Sequence, residues 1–385
     1  MKALWRRYIH PSEGVEAAER LFFAVLALVG IGIVAAASAS PPGQAGSAAT
    51  EQAMHAALGV FCFLAARRVP TAWLRRVTPV LYGLGLVGLL LVFVPGIGRE
   101  LYGGKRWIAI GGFSFQPSEP MKVAMILMVA DFLAARARDV QSFKRVVLPV
   151  FLLAAVPGAL VVLEPDLKGA LILFVLASFL VISAGARRSH IVVLGAAVLG
   201  VIALAVAAGL LPHVGGRLSF VDEPSMQVTR SLDALGSGGW AGAGLGEGRM
   251  KLGYIPFWRN DFIFTIVGEE GGFLGSLAVL GLYVLVLMQG LKAMYACRDM
   301  FGALLVLGVV SLVTLQAAIN LCVVTGLVPP TGIILPFLSA GGTSMVTLMT
   351  GLGLAVGAVR RVPRPSQGDP KWATSNVTDF APSSS

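Results

Sequence analysis

Phe301–Leu327, FGALLVLGVVSLVTLQAAINLCVVTGL, holds no Asp, Glu, Lys, Arg or His. A helix that crosses about 30 Å of hydrocarbon needs roughly 17–25 such residues, and this run supplies them. Nine more stretches of the same character lie near 21–40, 50–66, 77–96, 118–135, 146–163, 167–185, 190–211, 262–291 and 337–359. The one at 50–66 is the least regular, because His55 interrupts it. Helix is the expected form, since lipid cannot satisfy open backbone groups and the runs lack the alternation of a barrel strand. The fold class is therefore all-α: a polytopic integral membrane protein of about ten transmembrane helices.

Composition agrees. Of 385 residues, 56% are apolar before the 47 glycines are counted, and only 13% are charged, about half the share usual in soluble chains. An ordinary soluble enzyme, a disordered chain and a small disulfide scaffold are excluded. Cys62, Cys297 and Cys322 have no framework spacing.

The net charge of +10 follows the membrane. With the N-terminus inside, Arg67, Arg68, Arg75 and Arg76, then Arg136, Arg138, Lys144 and Arg145, then Arg187 and Arg188, all fall on the cytoplasmic side. Residues 41–51 and 328–336, on the other side, carry no Lys or Arg. Both termini are expected to be cytoplasmic, the basic residues to face anionic lipid, and no nucleic-acid partner is implied. Ala37-Ser38-Ala39 could suggest a cleaved signal peptide, but the preceding apolar stretch exceeds the roughly 7–15 residues of a signal core. Residues 1–361 are read as one membrane domain with a large external loop at 212–261, and 362–385 as a disordered cytoplasmic tail.

Ionisable groups within or at the lip of a span are costly, so each is a candidate site. Glu119 and Lys122 are three apart after Ser118, a plausible N-cap, and can pair on one helix face. Glu164-Pro165-Asp166-Leu167-Lys168 puts three charges in an external turn, as a solvated turn, a carboxylate pair for a divalent cation, or a salt bridge closing a cavity. Asp261 stands just before the run from Phe262, where it could cap that helix or serve as a general base of raised pKa. Glu269 and Glu270 lie two turns deeper and cannot share a face, so at least one should cap or pair internally. The glycine-rich run around Ser237 and Gly238 could cradle phosphate through exposed N–H groups or be a flexible loop; it fits no P-loop or dinucleotide fingerprint.

These stretches together resemble the SEDS family (shape, elongation, division and sporulation), which includes FtsW and RodA. The resemblance spans nearly the whole chain. It rests on Ser38-Ala39-Ser40, Gly104-Lys105-Arg106-Trp107, Gln116-Pro117-Ser118-Glu119 with Lys122, and Glu164-Pro165-Asp166-Leu167. It continues through Gly236-Ser237-Gly238-Gly239, Asp261-Phe262-Ile263-Phe264, Gly268-Glu269-Glu270 and Leu335-Pro336-Phe337-Leu338-Ser339. It implies an inverting peptidoglycan glycosyltransferase in the bacterial cytoplasmic membrane. Such an enzyme polymerises lipid II, a disaccharide-peptide on undecaprenyl pyrophosphate, into β-1,4-linked glycan, with a class B penicillin-binding protein as partner. Phe113–Glu119 and Lys251–Pro256 read closer to the division type.

By the same resemblance, Asp261 matches the family's essential aspartate and is the expected base. Lys105, Arg106, Lys122, Arg249 and Arg259 are candidates for the pyrophosphate, with Glu119, Ser237 and Gly238 as further substrate contacts. No cofactor is certain; a divalent cation would draw on Glu164 and Asp166. The chain departs from the family where Pro256-Phe257-Trp258-Arg259-Asn260 lacks the usual Glu and His, and where Lys168 replaces a glycine, Arg230 a glutamine and Ala340 a tyrosine. A lipid transporter, or a non-catalytic scaffold that recruits a transpeptidase, are the alternative classes.

Overall fold

The structure, a computed structural model, describes residues 11–40, 45–101, 104–110, 113–207, 226–249 and 261–360. Arg259 and the tail expected at 362–385 lie outside the described residues. Among the described residues, ten long helices fall on the ten apolar stretches: α1 (Pro11–Ser38), α2 (Ala45–Ala66), α3 (Thr71–Leu91), α4 (Ser118–Ala135), α5 (Leu148–Leu163), α6 (Leu167–Ala184) and α7 (Arg188–Ala207). After a short α8 (Met226–Ser237) come α9 (Ile263–Ala296), α10 (Met300–Val324) and α11 (Gly342–Arg360). Seven of these are long and apolar enough to cross a membrane by length and composition. The fourth stretch is kept out of that set by Glu119, Lys122 and Asp131, which an isolated helix would not place in lipid.

The ends follow local chemistry. Asp166 caps α6, its Oδ1 accepting from Gly169 N at 3.1 Å, and Gly185 closes that helix at φ 108°. Asp299 caps α10 in the same way, through Gly302 N. Helix α4 departs from expectation: Pro117 holds the cap position, and Ser118 is the first helical residue and buried.

Packing is by neighbours: α1 lies along α9, α2 along α11, α3 along α4 and α5 along α6, with α10 against α4, α6, α9 and α11. Small residues let the backbones approach, as where Gly32 of α1 meets the carbonyl and Cα of residues 337–338. The leucines and valines left outward on α3, including Val80, Leu84 and Leu90, form a lipid-facing surface.

Two elements are additions to the sequence reading. Three strands, β1 (Gly98–Leu101), β2 (Gly104–Ile110) and β3 (Phe113–Phe115), form an antiparallel sheet in the order β1-β2-β3. In the large loop, α8 buries Val228, Ser231 and Ala234, three apart along one face.

Candidate active site

The segment between α10 and α11 is extended and irregular, and its backbone carbonyls need donors. Side chains supply them. Asn320 Nδ2 donates to Ile333 O at 2.7 Å, Tyr283 OH to Pro336 O, Lys168 Nζ to Gly332 O, and Gln52 Nε2 to Ser339 O at 3.3 Å. Ser339 Oγ accepts from Leu335 N at 2.9 Å.

This strap forms one wall of a cleft of about 370 Å³, counting its open mouth. The other walls carry Gln116, Glu119, Lys122, Asp166, Lys168 and Gln316. Glu119 and Lys122 pair as expected: Nζ donates to Oε1 at 2.7 Å, and both residues are buried.

Asp261 is not itself a wall of the cleft but borders one of its lining residues, Gly332. A Cβ added to Gly332 would lie 2.9 Å from Lys168 Nζ and 3.1 Å from Asp261 Oδ2, so only the missing side chain of Gly332, at φ 68°, leaves room between cation and carboxylate. Asp261 does not cap α9, because Phe262 holds that position. Its backbone carbonyl is fixed by Asn320 Nδ2 at 2.7 Å. Burial pushes its carboxyl above the ordinary carboxylate range, while Lys168 and Arg106 pull it back.

Arg106 reaches the cluster from β2. Its guanidinium lies 4.0 Å from Asp166 Oδ1, with both side chains largely buried. Lys105, one residue back, pairs across the ladder with Glu100 and leaves the strand on the opposite face. Glu164 is 1% exposed, and neither of its carboxylate oxygens has a hydrogen-bond partner. Burial first, then Asp166, push its pKa up to about 8, with Arg106 opposing. In this turn it is Asp166, not Glu164, that pairs with the Arg106 guanidinium. Among the described residues no three His, Cys, Asp or Glu side chains gather as a metal cluster.

The structure does not bring Ser237, Gly238 or Arg249 to the cleft walls. Ser237 Oγ bonds back to Ala234 O at 2.8 Å, and Gly238 packs against the backbone of Gly268. The glycine run is a packed loop: Ala243 N and Gly244 N donate to Glu269 O and Glu270 O at 2.9 and 3.1 Å. Both buried glutamates answer from α9, Glu269 Oε1 accepting from Arg249 N at 2.7 Å and Glu270 Oε1 from Gly248 N at 3.3 Å. Glu270 also accepts from Ser38 Oγ. The main chain of Arg249 thus serves the fold.

Sequence reasoning passed over Gln316 and Asn320. They are the two carboxamides of the apolar run that became α10, and their spacing of four puts them on one face, which is the signal that marks them. Lys168 was visible as a charge, but neither Gly332 nor Asp261 was visible as its neighbour.

Residues 19–362 match the profile of the FtsW, RodA and SpoVE family, described as "Cell cycle protein". The chain is 34% identical to "Stage V sporulation protein E" of Bacillus subtilis, over 81% of this chain and 87% of that protein. It is 36% identical to "Probable peptidoglycan glycosyltransferase FtsW" of Nitrosococcus halophilus, over 87% and 90%. Among solved structures it is similar to Thermus thermophilus rod shape determining protein RodA, with TM-score 0.67 and 29% identity over 90% of this chain and 97% of that one. A chain in a structure described as "Structural coordination of polymerization and crosslinking by a peptidoglycan synthase complex" superposes with TM-score 0.76 at 29% identity, covering 88% and 96%. Matched over residues 19–362, with Glu119 and Lys122 of α4 and Asp166 of the turn before α6 lining one cleft, the chain belongs to the FtsW, RodA and SpoVE family of membrane proteins, the SEDS family.

Proposed function

We infer that the chain is a peptidoglycan glycosyltransferase that polymerises lipid II at the outer face of the bacterial cytoplasmic membrane. The observation that carries the reading is the half-buried carboxylate of Asp261 held at the rim of a polar cleft between cations of two separate elements, Lys168 and Arg106. Relatives named as peptidoglycan glycosyltransferases support the reaction class.

An acceptor sugar hydroxyl is a poor nucleophile until its proton is removed. Asp261 takes that proton. The hydroxyl oxygen bonds to the anomeric carbon of the donor as the bond from that carbon to the pyrophosphate oxygen breaks, and the electron pair leaves on the pyrophosphate. Attack opposite the leaving group inverts the α-linked donor to a β-1,4 bond. The departing anion needs positive charge more than a proton, and Arg106 and Lys122 are the candidates that line or border the cleft. A divalent cation, where one is used, would draw on Glu164 and Asp166. Lipid-facing helices offer the apolar surface that a prenyl tail requires.

The role is in cell division beside a class B penicillin-binding protein, with both termini cytoplasmic. The test is incubation of purified protein with labelled lipid II, with and without such a partner. Glycan ladders are expected, and their absence in both arms would favour a scaffold or transporter.

A further inference from the structure

Lys168 sits where the family resemblance expects no side chain, and the cleft is organised around it. Its ammonium donates to the carbonyl of Gly332. It lies within electrostatic reach of Asp166, Asp261, Arg106 and Lys122, and its side chain is a wall of the cleft. It therefore ties the start of α6 to the strap between α10 and α11, and across the gap at Gly332 it faces Asp261, the residue before the α9 cap. Among the described residues, Asp261 is hydrogen-bonded on its other side through its backbone carbonyl, by Asn320, which leaves the direction of the carboxylate to its charged neighbours.

We propose that Lys168 is a positioning residue for glycosyl transfer: anchored on Gly332 O, its ammonium holds the Asp261 carboxylate as an anion turned to the cleft, ready to take the acceptor's proton. The proposal rests on the glycosyltransferase reading above. Among the described residues, the charged groups acting on Asp261 are Lys168 from α6 and Arg106 from β2. The α10 neighbour, Asn320, is uncharged. Asp166 acts on both cations, but it is Lys168 that flanks the gap at Gly332 that Asp261 Oδ2 faces. Removing the Lys168 charge leaves the half-buried carboxylate with one cation, so its anion forms only at higher pH.

The experiment compares wild type, Lys168→Met, Lys168→Gln and Lys168→Arg in two ways. The first is the pH profile of lipid II polymerisation. The acid limb should move up by about one pH unit in Lys168→Met and Lys168→Gln, with kcat falling more than KM changes, and should return toward wild type in Lys168→Arg. A purely structural clamp would lower activity without moving the limb. The second reading needs no turnover: an infrared titration of the carboxylate band that Asp261→Asn removes, recorded on each protein in lipid nanodiscs. Its midpoint should rise in the two neutral variants and return in Lys168→Arg.

Superimposable midpoints in wild type and neutral variants would overturn the proposal, even where ladders form normally. Ladders absent from wild type would instead count against the functional reading, while the infrared arm still decides whether Lys168 holds Asp261. Should Lys168→Met fail to give folded protein, the uncharged but polar Lys168→Gln carries the same comparison.

Discussion

Asn320 donates its side-chain amide to the carbonyl oxygen of Asp261 at 2.7 Å. The same nitrogen donates to Ile333 O at 2.7 Å, so one buried residue of α10 ties the candidate base to the strap that walls the cleft. Asn320→Leu keeps the volume and removes the donor. Each stranded carbonyl should cost about 1–3 kcal/mol. We expect a lower thermal midpoint in detergent and a loss of polymerisation larger than the stability loss explains. A variant with wild-type stability and activity would contradict this role.

The Glu119–Lys122 pair is buried on both sides. Removing one partner strands the other charge and should cost about 3–5 kcal/mol. Lys122→Met and Glu119→Gln are each expected to be strongly destabilised, and the double variant less than the sum of the two. A double-mutant cycle on thermal unfolding checks this; additivity would mean the two charges are not coupled.

How much of this was legible beforehand depends on the range of the physics. The helices were readable because lipid demands long apolar runs, a local property of sequence; α6 begins at Leu167 and α4 at Ser118, as the runs predict. The β1–β3 sheet was not, because its strands are short and two of them open on glycines, Gly98 and Gly104, too little alternation to register. The i, i+3 pairing of Glu119 with Lys122 was visible from spacing alone. The meeting of Lys168, Gly332 and Asp261 was not, since it is made by the packing of α6, α9 and α10. The glycine run misled: Gly238 and Gly242 are glycines because the backbone of α9 lies against them, a contact that sequence cannot distinguish from a phosphate cradle.

Glu164 makes stability depend on pH with a definite sign. Its carboxyl ordinarily titrates near 4.5 and is raised to about 8 in the folded protein by burial. Folding therefore takes up a proton between these values, and stability falls as pH rises from about 4.5 to about 8. Glu164→Gln should remove this part of the slope. Thermal midpoints at pH 5 and pH 8.5 test it: the wild-type drop should exceed that of the variant, and equal drops would show that Glu164 titrates normally.

Gly272 breaks the regular backbone of α9 at φ 64°, ψ −161°, a region essentially closed to other residues. A Cβ there would meet the backbone of Trp240 and Ala241 at 2.8 Å. Gly272→Ala should cost at least about 1–3 kcal/mol in strain and lift the packed loop off α9. Limited proteolysis should then cut within 238–249 faster than in wild type. Unchanged cleavage would mean that the loop is held independently of the break.

The central claim is that Asp261 removes the acceptor's proton. Its most direct test is polymerisation of labelled lipid II by purified wild type and Asp261→Asn, matched for membrane insertion and thermal stability. The account predicts glycan ladders from wild type and a loss of at least about a hundredfold in the variant. Ladders of wild-type length and rate from Asp261→Asn would contradict it.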